Sequence, residues 1–169
     1  MKRFINIMIL ISIMAFTLAA QNSGEYREQT IGKMTFGWQV QGEDLFIRVS
    51  APAAGYVAVG FEPTSMMKDA DIYIGYVSGS TVVLEDHFAY KRTGHKSDVA
   101  LGGTSNISSI KGNEAGGVTT IEFIRPLDSG DPYDKALVPG QEYNLIFAYS
   151  TRDNVTSVHR ERYSAKVRL

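Results

Sequence analysis

From about position 35 onward the chain is built of short apolar stretches, and this pattern restricts the fold more than any other feature of the sequence. The apolar residues either alternate with polar residues or form short runs bounded by Gly, Pro, Asn, Asp or Ser. Alternation is typical of strands with one buried face, and short continuous runs are typical of strands buried on both faces. No long window after residue 20 shows a convincing helical stripe.

The pattern predicts eight strands in an all-β, antiparallel sandwich or barrel formed by a single domain. They are placed near residues 35–40, 45–50, 56–61, 71–77, 81–90, 118–123, 143–149 and 163–169. Turn sequences at 41–44 and 78–80 are typical of hairpins. Residues 91–117 are rich in glycine and predict loops and short edge strands, and a short helical turn is expected near residues 132–136.

The first twenty residues predict a signal peptide rather than part of the fold. Lys2 and Arg3 precede an apolar stretch at 4–18, and Ala19 and Ala20 precede a polar run. The apolar stretch is too short and too one-sidedly flanked to be a good membrane span. We therefore expect cleavage after Ala19 or Ala20 and a secreted or periplasmic protein that is not transmembrane; the alternative is an uncleaved N-terminal anchor.

Charge and cysteine content exclude several classes of site. Without residues 1–20 the chain has 15 basic and 18 acidic residues, a net charge near −3, which does not favour nucleic-acid binding. The chain has no cysteine, so disulfides, thiolate metal sites, a lipoprotein anchor and covalent c-type haem are all excluded. Roughly 149 residues remain, enough for one domain with its own core.

Two adjacent methionines stand out in a predicted loop between two strongly apolar strands. Met66 and Met67 lie in this loop, whereas thioethers usually fill cores, so one of them can simply cap the sandwich. Thioether and imidazole together are a pair that haem iron accepts as its two axial ligands. His159 lies just before the last strand, 92 residues after Met67, and loops of a sandwich cluster at its ends.

The charged residues beside His159 allow two interpretations. Arg160 and Arg162 alternate with His159 and Glu161, so they would either meet the carboxylates of a bound haem or form the solvated side of an edge strand. The other two histidines, His87 and His95, are interpreted as solvated or hydrogen-bonded residues.

Several motifs together resemble a known family. They are Gly55-Tyr-Val-Ala-Val-Gly-Phe, Met67-Lys-Asp-Ala-Asp-Ile-Tyr-Ile-Gly-Tyr-Val, Glu85-Asp-His, Gly102-Gly, the stretch from Thr119 to Asp131 that contains Ile-Arg-Pro-Leu, and His159. The chain from 31 to 169 resembles a DOMON domain of the bacterial type. That family includes the module of dopamine β-monooxygenase for which it is named, and it is similar to the cytochrome domain of cellobiose dehydrogenase. The resemblance implies an immunoglobulin-like β-sandwich that binds haem b in some members and sugar in others.

The resemblance also implies roles for individual residues. The family methionine precedes an Ala-Asp pair by three residues, which selects Met67, with Met66 as a substitute, and the family histidine selects His159. Asp71 is expected to bind backbone amides of the methionine loop. Four aromatic residues are expected as walls of the cofactor pocket: Tyr56, Phe61, Tyr73 and Trp38.

The leading hypothesis is an exported b-type haem-binding domain that passes electrons to a redox partner protein and is not an enzyme. The alternative is a carbohydrate-binding or adhesive sandwich without haem, in which Trp38 or surface tyrosines stack on sugar. A third interpretation is a copper or zinc site formed by His87, His95 and His159. A serine hydrolase is disfavoured because the chain has no G-x-S-x-G motif.

Overall fold

The computed structural model describes residues 25–169, which form two antiparallel β-sheets. In chain order the elements are β1 Arg27–Ile31, β2 Met34–Gln41, β3 Asp44–Ala51, β4 Val57–Phe61, β5 Asp71–Ser78, β6 Thr81–Lys91, β7 Gly94–Ser97, α1 Asp98–Leu101, β8 Ser108–Ala115, β9 Val118–Pro126, β10 Glu142–Tyr149 and β11 Glu161–Arg168. The predicted signal peptide, residues 1–20, lies outside the described residues.

The strands divide between a five-stranded and a six-stranded sheet. The first has the order β1-β2-β3-β9-β8, and the second has the order β11-β10-β4-β5-β6-β7. Every pairing between neighbouring strands is antiparallel. The prediction of an all-β, antiparallel sandwich is confirmed.

The main core lies between the two sheets. In β3 the buried residues Leu45, Ile47 and Val49 alternate with more exposed ones, as a strand with one inward face requires. The sheets meet through aromatic contacts such as that between Phe36 of β2 and Phe147 of β10, whose ring centroids are 5.4 Å apart. Burial of each such side chain contributes roughly 1.5–3 kcal/mol to folding.

One strand and the short helix differ from the expectation from sequence. β1 lies at a sheet edge and begins at Arg27, before the predicted domain start at residue 31, whereas β7 and β8 are edge strands within residues 91–117, as predicted. Near residues 132–136 the amide of Asp134 donates to the carbonyl of Asp131 and closes a single turn, which does not extend into a helix. The short helix α1 instead starts after Ser97, whose side chain caps it.

Both faces of β4 and β5 are buried, and this feature determines where a ligand can bind. Val59 and Phe61 face the main core, whereas Ala58 and Ile72 belong to a second apolar cluster on the outer face of the six-stranded sheet. An antiparallel sheet usually turns polar residues towards water on its outer face. The apolar outer face is therefore suited to covering by loops and by an apolar ligand.

Within residues 25–169, none of the helices has the length and apolar character needed to cross a membrane.

Candidate functional site

A cavity of about 690 Å³ lies on this outer face. Its floor consists of small and aliphatic residues of the middle strands: Ala58, Gly60, Ile72, Ile74, Ile146 and Ala148. Its rim comes from the β4–β5 loop, the β6–β7 hairpin and the β10–β11 loop. The volume falls within the range of roughly 300–1,000 Å³ typical of small-molecule and cofactor pockets.

Gly60 keeps the floor of the cavity open. A Cβ atom at this position would lie 2.9 Å from Cγ1 of Ile146 and 3.0 Å from Cγ1 of Ile72. A side chain here would both press on its two neighbours and rise into the cavity. The floor is therefore a shallow apolar trough between two isoleucines.

The β4–β5 loop presents its two methionines at the tip of a tight turn. The amide of Lys68 donates to the carbonyl of Ser65 over 3.0 Å, so Met66 and Met67 are the central residues of the turn. Met66 has a φ of 57° and its side chain is 52% exposed, whereas Met67 is half-buried and packs against the outer-face cluster. Both line the cavity, with Met67 deeper and Met66 at the rim.

His159 reaches the same cavity from the β10–β11 loop, and the backbone on both sides of it is held by hydrogen bonds. The hydroxyl of Tyr56 donates to the carbonyl of Ser157 over 3.1 Å, and the amide of Arg160 donates to the carbonyl of Tyr149 over 2.7 Å. Burial raises the pKa of Tyr56 to about 12, so its hydroxyl remains a donor. The half-buried His159 is thus carried by an anchored loop.

The structure separates the two arginines that follow His159. Arg162, on β11, lines the cavity, whereas Arg160 is exposed and does not. Arg92 of the β6–β7 hairpin, which the sequence did not single out, also lines it. The cavity therefore has an apolar floor and a cationic rim.

The comparison with known families agrees with this architecture. A model of the family described as "DOMON domain" matches residues 30–150. The chain belongs to the DOMON family. It is 29% identical over 151 residues to DBH-like monooxygenase protein 1 of Homo sapiens, a match that covers 87% of this chain and 24% of that protein. The chain thus spans about a quarter of the length of this relative.

Two solved structures share the fold of this DOMON domain. One is the cytochrome b domain of pyranose dehydrogenase from Coprinopsis cinerea, with a TM-score of 0.58 and 12% identity, covering 79% of this chain and 75% of that one. The other is the cytochrome domain of Myriococcum thermophilum cellobiose dehydrogenase, with a TM-score of 0.59 and 11% identity, covering 80% and 74%. At this level of identity the matches establish the fold.

Three of the four aromatic residues predicted as pocket walls lie elsewhere in this DOMON domain. Tyr56 lines the cavity, but Tyr73 is 1% exposed and packs with Phe61 and Phe123 in the main core. Trp38 is also buried in the main core, 7% exposed. Since alternate residues of β5 face opposite sides, Tyr73 points inward and its neighbour Ile72 lines the cavity instead.

The buried position of Trp38 also bears on the carbohydrate alternative. Its ring stacks on Phe36 with centroids 5.4 Å apart, inside the sandwich. A ring that stacks on sugar must be exposed, so Trp38 does not have this role. The most exposed tyrosine in the main strands is Tyr90, 42% exposed on β6.

Asp71 does not bind the methionine loop, contrary to the expectation from sequence. Its Oδ2 accepts from Nη1 of Arg125 over 2.8 Å and from the amide of Lys135 over 3.0 Å, on the core side of β5. The methionine loop is closed by its own backbone, through the amide of Ala70 and the carbonyl of Met67, 3.0 Å apart. Asp71 shares the inward face with Tyr73, which explains why it points away from the loop.

His95 at the cavity rim contacts His87, a pair that the sequence did not connect. Nδ1 of His87 and Nδ1 of His95 are 2.7 Å apart, and Nε2 of His87 is 2.8 Å from Oε2 of Glu85. One of the two Nδ1 atoms donates to the other, so the two rings fix each other's tautomers. Burial, together with the neighbouring His87, lowers the pKa of His95 to about 4.

The three histidines do not form a single metal-binding group. His95 and His159 line the same cavity from different loops, while His87 is turned to Glu85. Among residues 25–169, the side chains that come together as potential metal ligands are Asp71, Asp86 and Asp134, without a histidine. A copper or zinc site built from all three histidines is therefore not supported.

Proposed function

We propose that this DOMON domain binds haem b in the outer-face cavity, with Met67 and His159 as axial ligands, and serves as an electron-transfer module. The observation that carries the proposal is that one cavity collects Met67 and His159 from two loops that are 92 residues apart in sequence. Thioether and imidazole are the ligand pair of low-spin, electron-transferring haem proteins.

The shape and chemistry of the cavity fit a flat apolar cofactor with an acidic edge. The floor is aliphatic and is kept open by Gly60, so that a planar ring can lie between the two ligand-bearing loops. Arg92 and Arg162 at the rim are suited to pairing with carboxylates. The fold shared with two cytochrome domains supports the proposal at the level of architecture.

Haem, when bound, supplies one-electron chemistry. The residues of this chain hold and shield it: Met67 and His159 bind from the two loops, Tyr56 fixes the loop that carries His159, and the isoleucines exclude water. If both residues bound the iron, they would leave no ligand position for a substrate, so we propose an electron carrier rather than an enzyme. Its partner is then another redox protein, and the signal-peptide pattern at residues 1–20 supports action outside the cytoplasm.

The test is a visible absorption spectrum of the purified protein loaded with haem, oxidised and then reduced. We expect sharp low-spin bands that Met67→Ala and His159→Ala each abolish, while Met66→Ala, a matched change one residue away, preserves them. Loss of the bands in Met66→Ala but not in Met67→Ala would reassign the ligand. Failure of the wild-type protein to bind haem would overturn the proposal.

A further inference from the structure

Three buried aspartates and one half-buried aspartate lie near one another on the core side of the six-stranded sheet, away from the outer-face cavity. Asp71 opens β5, Asp86 lies opposite Tyr73 on β6, Asp98 opens α1 and Asp134 lies between β9 and β10. The first three are 0%, 2% and 0% exposed. Carboxylates are almost never buried without a partner, so this cluster requires a physical explanation.

Three of the four converge on one point. Asp71, Asp86 and Asp134 each offer an oxygen, and these three atoms all lie within 4.8 Å of one another. Two oxygens that each lie about 2.4 Å from a common calcium ion are at most about 4.8 Å apart. The spacing is therefore that of ligands around one cation.

In each of these three side chains, one carboxylate oxygen accepts a hydrogen bond and the other does not. Oδ2 of Asp71 accepts from Arg125, and Oδ2 of Asp86 accepts from the amide of Asn106 over 2.9 Å. The Oδ1 atoms of Asp71, Asp86 and Asp134 are buried and have no hydrogen-bond partner among residues 25–169. Each side chain is thus oriented by one oxygen and leaves the other available.

Asp98 provides an independent observation. Its side chain is fully buried, and neither carboxylate oxygen has a hydrogen-bond partner among the described residues. Burial raises the pKa of Asp98 to about 7, and the nearby charges of Asp134 and Asp71 also raise it, so Asp98 is a close neighbour of the group formed by the other three. With Asp98 included, the cluster contains five buried carboxylate oxygens that have no hydrogen-bond partner among the described residues.

The charge of the cluster is only partly balanced. Arg125, itself 0% exposed, contacts Asp71 over 2.8 Å and is one positive charge against four carboxylates. Burial and mutual repulsion raise the pKa of Asp86 to about 8 and that of Asp71 to about 6. A divalent cation bound to the carboxylate oxygens that lack hydrogen-bond partners would offset most of the remaining negative charge.

We propose that Asp71, Asp86, Asp98 and Asp134 bind a calcium ion. The donors are all oxygens, which suit hard cations, and three of the carboxylates converge within the span that one calcium ion allows, with Asp98 beside them. Magnesium keeps several waters and a strict octahedron, and zinc prefers nitrogen and sulfur, so both fit this carboxylate set less well. The ion would join β5, β6, α1 and the β9–β10 connection. It does not depend on haem binding.

The test is a calcium titration of the purified, chelator-treated protein without haem. We expect saturable binding by calorimetry, with a thermal midpoint raised by about 5–10 °C at a calcium concentration about a hundred times the dissociation constant. Terbium, a luminescent substitute for calcium, should emit on excitation of tyrosine because the hydroxyl of Tyr73 is 3.3 Å from Oδ2 of Asp71. Calcium should displace it.

The variant Asp98→Asn removes charge without changing volume and should weaken calcium affinity at least tenfold. Asp44→Asn, at an exposed aspartate of the β2–β3 hairpin, is the matched control and should bind as the wild type does. No binding by the wild-type protein up to about 10 mM calcium, well above the weakest extracellular sites, would overturn the proposal. Equal weakening in both variants, or binding of zinc but not calcium, would also overturn it.

Discussion

The hydroxyl of Tyr56 lies 3.1 Å from the carbonyl oxygen of Ser157 and donates to it, which ties the start of β4 to the loop that carries His159. Tyr56 is 3% exposed, so this bond is shielded from water. Its partner lies two residues before His159. The bond therefore restricts the position of the proposed histidine ligand without touching the cofactor.

Removal of this hydrogen bond should affect the position of His159, and with it the retention of haem, more than it affects the stability of the fold. We expect Tyr56→Phe to cost about 0.5–1.5 kcal/mol of stability, the usual net value of one hydrogen bond, and to accelerate haem loss several-fold. The measurement is the rate of haem transfer to an acceptor protein, beside a thermal melt. Tyr90→Phe, at an exposed tyrosine, should change neither quantity. Equal haem-loss rates for wild type and Tyr56→Phe would exclude this role for Tyr56.

A large side chain at Gly60 should fill the floor of the cavity. Gly60→Leu places atoms against Ile146 and Ile72, which can shift because the closest atoms belong to side chains. We expect a folded protein that takes up at least tenfold less haem. The check is haem titration followed by visible absorbance, with circular dichroism to confirm folding. The comparison is Gln41→Leu, which adds the same side chain at an exposed residue of the β2–β3 hairpin and should leave haem uptake unchanged. Full haem uptake by Gly60→Leu would place the cofactor elsewhere.

The buried ion pair between Arg125 and Asp71 should be far more important for stability than a similar exposed pair. Arg125→Leu leaves Asp71 uncompensated within the acidic cluster, and we expect a loss of about 3–5 kcal/mol. The matched control is Arg48→Leu, which breaks a pair with Glu122 of 2.7 Å that is about one third exposed, and should cost about 1 kcal/mol or less. Urea unfolding measures both. Similar losses in the two variants would contradict the argument from burial.

Raised pKa values in the acidic cluster predict an unusual dependence of stability on pH. The folded pKa values of Asp71, Asp98 and Asp86 are about 6, 7 and 8, all above the unfolded value of about 3.9. The folded state therefore holds these protons more tightly, and the stability they contribute is lost as the pH rises through the folded values. Without calcium, the thermal midpoint should therefore fall as the pH rises from about 4 to about 8.

Calcium and one substitution provide the controls for this pH dependence. Calcium replaces the protons, so a saturating concentration should reduce the fall. Asp86→Asn removes the group with the highest folded pKa and should also flatten the curve. A midpoint that rises with pH in the chelated wild-type protein would contradict the assignment. Scanning calorimetry at several pH values makes the measurement.

The contact between His95 and His87 predicts an acidic titration for His95. Its pKa of about 4 results from burial and from the neighbouring His87, so replacing His87 by alanine should raise it towards the ordinary value of about 6.5. Because the folded pKa is lowered, the stability contributed by neutral His95 is present above about pH 6.5 and is lost as the pH falls towards 4. NMR titration of the imidazole ring protons measures the pKa of His95 in the wild-type protein and in His87→Ala. An unchanged pKa in His87→Ala would show that burial alone is responsible.

The local pattern of apolar and polar residues in the sequence predicts most of the strands of this protein. All eight predicted strands are present within a few residues, because period-two alternation and turn residues are properties of neighbouring positions. The strand that was missed is β1, an edge strand that contains one buried apolar residue, Ile31. Such strands are formed by backbone pairing to a neighbour, and this leaves little trace in composition.

The ligand residues of the proposed site could also be predicted from the sequence, but the location of the site in the fold could not. Met67 and His159 were selected by residue type and by resemblance to the family, and both line the cavity. Tyr73 was expected beside them and faces the opposite way. β4 and β5 are apolar on both faces, so their sequences do not reveal which alternate set points outward.

The sequence by itself determined the all-β class, the position of the main strands, the residue types available as ligands and the absence of any cysteine-based site, because each of these depends on composition or on neighbouring residues. Only the tertiary structure decided which face of β5 meets the cavity, that His87 contacts His95, and that three aspartates from separate segments bring carboxylate oxygens within 4.8 Å of one another. These features depend on strand register and on contacts between residues far apart in the chain, and neither is encoded in a local pattern.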